Sequence, residues 1–106
     1  MGLTPTQLTL RHLREQGWPL VEVVEHWNPH ARIRQDLFGF VDVLAVGPSG
    51  VLAVQTTSAG NVAARVRKIG EHPNVAPVRE AGVAISVHGW AKRGGKWVLA
   101  REVDCS

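Results

Sequence analysis

The sequence has a single cysteine, Cys105, near its C-terminus, so no internal disulfide can form and a reducing, cytoplasmic compartment is the expectation. No run approaches the roughly 18 apolar residues of a membrane span, and the N-terminus lacks the basic segment and apolar run of a signal peptide. A soluble, unprocessed protein without a membrane partner is therefore expected. There is no glycine-rich phosphate loop and no Ser-His or Cys-His signature, which leaves nucleotide hydrolysis and covalent catalysis without support. His26 and His30 flank Asn28-Pro29, cannot share a helix face and have no cysteine nearby, which excludes a structural zinc. Internal repeats, low-complexity tracts and domain boundaries are missing too.

What remains is a chain of 106 residues, 44% hydrophobic and 20% charged, which fits one globular domain spanning residues 1–106. Twelve Lys and Arg against nine Asp and Glu leave a net charge of +3, a mild bias that permits a polyanionic partner. Thr4-Pro5-Thr6-Gln7 reads as a capped helix start, with Leu8, Leu10 and Leu13 forming a stripe that ends at Gly17. Residues 20–27, LVEVVEHW, read as one strand closed by Asn28-Pro29-His30, and residues 31–36 as a loop or the frayed start of the next strand. Val62, Val66 and Ile69 mark a second helix, and residues 73–80 a short helix interrupted by Pro77. Residues 82–88 and 96–103 read as two final strands joined by the basic turn Lys92-Arg93-Gly94-Gly95.

The central stretch is residues 38–58, FGFVDVLAVGPSGVLAVQTTS. Two apolar runs, 41–46 and 51–57, flank Gly47-Pro48-Ser49-Gly50, which predicts an antiparallel hairpin with Val46 opposite Val51. Counting outward sets Asp42 opposite Gln55, about 5 Å apart at Cβ, on the same face as Thr57. A carboxylate in an apolar strand costs free energy unless it is paired or holds a metal, so the pair is a candidate site; its plain alternative is a buried pair bonded to each other and to backbone. Glu22 and Glu25 lie on the neighbouring strand, on opposite faces by parity; a solvent-facing side chain is the first expectation for each, with one of them able to add a carboxylate to the site. The basic face of the second helix, Arg65 and Lys68 included, reads first as a solvated surface.

The order α-β-β-β-α-β with an extra C-terminal strand predicts an α/β fold: a mixed central sheet flanked by helices. With Asp42 and Gln55 so placed, residues 4–90 resemble the PD-(D/E)XK nuclease superfamily, especially its small Holliday-junction-resolvase-like members. The resemblance implies a restriction-endonuclease-like core and metal-dependent hydrolysis of DNA phosphodiester bonds, branched DNA included, by a homodimer, since two cuts need two sites. It implies Mg²⁺ or Mn²⁺ held by Asp42, Gln55 and the Thr56 carbonyl, with Asp36 beside them. The family's acidic residue and Lys on the third strand match Gln55 and Thr57 here. Some members use Gln in the first position, but Thr in the second removes the cation that stabilises charge at phosphorus. Arg65 or Lys68 would have to replace it. Nucleic-acid contact is assigned to Arg65, Lys68, Trp90, Lys92 and Arg93, with Trp90 in HGWAKRGG as the candidate stacking residue.

Three functions compete at this stage: a deoxyribonuclease, a catalytically inactive relative serving as a DNA-binding or assembly subunit, and a small-molecule or protein-binding module. Thr57 favours the second and the joint retention of Asp42 and Gln55 the first.

Overall fold

The computed structural model describes residues 3–106. Helix α1 (Pro5–Glu15) starts in a capping box: Thr4 Oγ1 accepts the Gln7 N–H at 3.2 Å and Gln7 Oε1 accepts the Thr4 N–H at 3.0 Å. Pro5 sits where a backbone N–H would have no helical partner.

Strand β1 (Leu20–Val23) ends sooner than the sequence predicts, and β2 (His26–Asn28) and β3 (Ile33–Gln35) form a separate two-stranded sheet. The cause is Asn28, whose Oδ1 accepts the N–H groups of His30 at 3.0 Å and Ala31 at 3.2 Å. That Asx-type turn folds the chain back, so the segment expected to be a loop or a frayed strand start becomes the partner of β2.

Strands β4 (Val43–Gly47) and β5 (Gly50–Ser58) pair antiparallel in the predicted register, Val46 opposite Val51, with Gly47 opposite Gly50 so that only Pro48 and Ser49 form the loop. A 3₁₀ turn (Ala59–Asn61), α2 (Val62–Glu71) and α3 (Val75–Glu80) cross over to β6 (Ala84–Arg93), which lies parallel to β5; β7 (Lys96–Asp104) returns antiparallel. Pro77 does not interrupt α3, because the third helical position still lies in the first turn, where its missing N–H has no partner to lose. The sheet order β1-β4-β5-β6-β7 makes a mixed α/β sheet with helices on both faces. None of the described helices is long and apolar enough to cross a membrane.

Alternation along the strands divides the core in two. On one face Leu13 of α1 packs with Val21, Val43, Ala45 and Val54. On the other, Val62, Ile69 and Val75 of the crossover pack with Phe40, Val41, Ala53, Ile85 and Val87. Gly89 permits this: a Cβ there would run into Val62 and come within 3.1 Å of the Ala59 backbone.

Candidate metal centre

Asp42 lies on the α2 face, just before β4, with its main chain bonded on both sides: its N–H donates to Val54 O and its carbonyl accepts from Val24, both at 2.9 Å. The side chain is therefore held in the sheet interior, 5% exposed, where Oδ2 accepts the Thr56 N–H at 2.9 Å. The paired register ends at Val43 opposite Val54, and Gln55, 2% exposed, is the next residue along β5.

A tight turn delivers the second carboxylate. Leu37 and Val41 form an antiparallel bridge, each N–H donating to the other's carbonyl at 3.0 Å, so Asp36 and Asp42 are the next residues outward on its two arms. Closing that bridge takes two consecutive left-handed residues, Phe38 (φ 58°) and Gly39 (φ 87°). The turn is fastened by Asn74 Nδ2, which donates to Phe38 O at 2.9 Å, and His72 packs so close that a Cβ on Gly39 would lie 2.5 Å from its Nε2.

Glu25, between β1 and β2, brings the third. One oxygen from each of Glu25, Asp36 and Asp42 lies within 4.8 Å of the others. Glu25 is half-buried, accepting the Thr6 hydroxyl at 3.2 Å, and its one cation is Arg34 at 3.9 Å, mostly exposed. Two unit charges at this separation repel by roughly 3–4 kcal/mol even at an effective dielectric of 20. The cluster relieves this by holding a proton: the Asp42 carboxyl is raised to about 8, by burial first, then by its hydrogen bond with Asp36, with the charges of Asp36 and Glu25 adding and the Thr56 N–H opposing.

Gln55 completes the arrangement. Its Nε2 donates to Asp36 Oδ2 at 3.3 Å, while its Oε1 is buried with no hydrogen-bond partner. An orphaned buried acceptor is costly, by about 1–3 kcal/mol. A half-turn of the carboxamide exchanges the two atoms and sets the oxygen beside the carboxylates, which is what a cation there would select. Three carboxylates and a carboxamide oxygen are a hard donor set that fits Mg²⁺ or Mn²⁺. A cleft of about 440 Å³ opens on Asp36, lined also by His26, Arg34, Gly39 and Lys68. A second cavity, of about 540 Å³, lies elsewhere, lined by Asn74 and otherwise apolar residues of the Phe38 turn, β4, β5 and α3, without a titratable group.

The other sequence-stated residues fall as follows. Asp42 and Gln55 do not bond each other; Thr56 N–H and Asp36 are their respective partners. Thr56 turns its hydroxyl to the α1 face, where it bonds Thr9 at 3.0 Å. Thr57 is buried on the face of Gln55. Lys68 borders the cleft, and Arg65 is half-buried, with no hydrogen bond or ion pair among the described residues. Trp90 is corrected: at 6% exposure, with Nε1 donating to Thr9 Oγ1 at 2.9 Å, it is a core residue and cannot stack on a base. Lys92 and Arg93 are exposed.

Glu25, expected first to face solvent, is instead half-buried between Thr6 of α1 and Arg34 of β3, a strand that depends on the Asx turn at Asn28. A buried polar chain on the α1 face was invisible in the sequence. His88, fully buried, bonds Thr9 Oγ1 through Nδ1 at 3.2 Å and Glu102 Oε2 through Nε2 at 3.1 Å. Burial lowers its pKa despite Glu102. Thr9 thus receives Trp90 and ties His88 to Thr56, whose N–H in turn holds Asp42.

The chain matches no family model, no curated protein and no solved structure.

Proposed function

We propose that this protein is a metal-dependent endonuclease of the PD-(D/E)XK type that hydrolyses DNA phosphodiester bonds, branched DNA included. The observation that carries the reading is the carboxylate cluster of buried Asp42 with half-buried Asp36 and Glu25, bordered by the Gln55 carboxamide, whose oxygen is buried without a partner. Supporting it are the α/β sheet with a crossover between β5 and β6 and the position of Asp42, just before β4, beside β5, which carries Gln55. A restriction-endonuclease-like topology is part of the proposal.

In this reading Asp42, Asp36 and the Gln55 oxygen hold Mg²⁺ or Mn²⁺, with Glu25 at the edge of the set. When bound, the cation supplies positive charge against the developing phosphorane and favours ionised water. The chain's own work is positioning and charge. The Thr56 N–H fixes Asp42 Oδ2, and with it the carboxylate, in the sheet interior. Asp42 exchanges its proton for the cation, and Lys68, at the rim of the cleft, neutralises phosphate charge in place of the Lys that Thr57 lacks. With Asp36 and Glu25 added, the site has three carboxylates. Cutting two strands needs two such sites, so a homodimer belongs to this reading.

The test is a cleavage assay with Mg²⁺ and Mn²⁺ on linear, flapped and four-way DNA, comparing wild type with Asp42→Ala. Metal-dependent products from the wild type alone support the proposal; none on any substrate, from protein shown to bind Mn²⁺, would refute it. Thr57 favours a second reading, a binding subunit that keeps the cluster without turnover, and that outcome would select it.

A further inference from the structure

The last register pair between β5 and β6 is Ser58 with Trp90, yet β6 and β7 go on pairing through Ala91–Val98, Lys92–Trp97 and Arg93–Lys96. From Ala91 onward the sheet is a bare two-stranded ribbon. Its turn is Gly94-Gly95, both with positive φ (57° and 79°), the type I′ pattern that closes a hairpin in two residues and matches strand twist. A short, tightly closed ribbon is stiff, and every residue from Lys92 to Trp97 is exposed.

Its charge is set apart from the rest of the chain. Residues 81–101 contain Lys92, Arg93, Lys96 and Arg101 and no Asp or Glu, whereas the remaining residues carry eight cations and nine acids. The whole positive balance of the protein therefore belongs to this segment. The register sets Lys92 and Trp97 on one face of the ribbon and Arg93 and Lys96 on the other. The Lys92 ammonium lies 5.8 Å from the centre of the Trp97 ring, which orders a charge that would otherwise wander.

We propose that this ribbon grips the phosphate backbones of duplex DNA beside the metal centre, a surface that rests on the nuclease reading above. A two-stranded ribbon fits the width of a major groove, and cations on both of its faces meet the phosphates on both walls. The ribbon leaves the sheet at the end of β5 that bears Gln55. Its tip is six to seven residues past the Gln55–Val87 pair, about 20 Å at 3.3 Å per residue. That span is about 6 base pairs of duplex, so the ribbon anchors DNA to one side of the bond at the cluster.

The test measures binding of a labelled duplex across a salt series, in EDTA and in an Asp42→Asn background so that no cleavage intrudes. Lys92→Gln/Lys96→Gln is compared with Arg32→Gln/Arg67→Gln, which removes the same charge from elsewhere. The proposal expects the ribbon pair to lower the salt slope by about 2, one phosphate contact per lysine, and to weaken binding about tenfold or more, with the control pair near wild type. Equal effects of the two pairs would overturn it, as would no effect of the ribbon pair. Loss of binding to anionic vesicles with duplex binding intact would overturn it too, and would make the partner a membrane surface. Melting curves and circular dichroism establish that both pairs fold. Because binding is read without metal, a failure of the nuclease reading shows as absent cleavage with the ribbon result standing, and a failure of the ribbon as unchanged binding with cleavage intact.

Discussion

Gln55 donates its amide to Asp36 at 3.3 Å and keeps its own oxygen buried and unpartnered. One half of the carboxamide holds Asp36 while the other stays unsatisfied, and a half-turn that brings the oxygen to the carboxylates is what a bound cation would favour. Replacement by Met removes both. The lost orphan and the lost hydrogen bond, each about 1–3 kcal/mol, offset, so apo stability should change by no more than about 1 kcal/mol. The stabilisation conferred by Mn²⁺ should disappear. Melting curves of Gln55→Met with and without Mn²⁺ measure both; an undiminished Mn²⁺ effect would remove Gln55 from the site.

The proton on Asp42 gives the site a pH dependence whose sign is fixed. Its folded pKa is about 8 against an ordinary value of 3.8, so between these the unfolded chain has released a proton that the folded chain keeps. Stability without metal should therefore fall as pH rises through this window. Divalent metal binds the ionised form, so its affinity should climb with pH, level off above about 8, and release about one proton per ion. Calorimetry in buffers of different ionisation enthalpy counts that proton, and binding without proton release would contradict the account.

Asp42→Asn should separate structure from function. The Asn oxygen still accepts the Thr56 N–H, and its amide can donate to Asp36 in place of the shared proton. Apo stability should hold and lose its fall between pH 4 and about 8. Metal affinity and cleavage should both drop, cleavage by at least about 10²-fold. A melting temperature that still declines across this window would assign the titration to another group.

The hairpin was legible in the sequence because Gly47-Pro48-Ser49-Gly50 fixes its register, which runs from Gly47–Gly50 to Val43–Val54 and leaves Asp42 and Gln55 as the next residues beyond the last pair. The faces of Leu13, Val62 and Ile69 were legible from helical spacing for the same reason: each reports a local period. Glu25 was not, since its place depends on where β1 breaks and on a two-stranded sheet that only the Asn28 side chain nucleates. Trp90 misled because sequence gives a strand's alternation but not which face a helix will cover; α1 covers this one, through Thr9.

Gly39 is the position where turn geometry controls the cluster. With φ at 87° and His72 against it, Gly39→Ala meets both backbone strain and a collision at 2.5 Å. A cost of about 1–3 kcal/mol is expected, and the relaxed turn should part Leu37 from Val41 and Asp36 from Asp42. Metal affinity should then fall although no ligand has changed. Wild-type Mn²⁺ affinity in a destabilised Gly39→Ala protein would show that the cluster does not depend on this turn.

Lys68 and Arg65 compete for the role that Thr57 leaves open, and the structure distinguishes them. Lys68 is exposed at the rim of the cleft that opens on Asp36, whereas Arg65 is half-buried and no contact places it there. An ammonium at that rim can follow phosphate charge as it develops, which a cation serving only ground-state binding would not do. Lys68→Ala should therefore cut the cleavage rate by about 10²-fold. One lost phosphate contact should flatten the salt slope of DNA binding by about 0.9. Lys68→Arg should restore the slope fully and the rate in part, because a guanidinium keeps the charge but not the compact shape. Arg65→Ala should weaken cleavage less than Lys68→Ala. Single-turnover kinetics at saturating DNA separate rate from binding, and equal rates for Lys68→Ala and wild type would leave the cluster to work without a cation from α2.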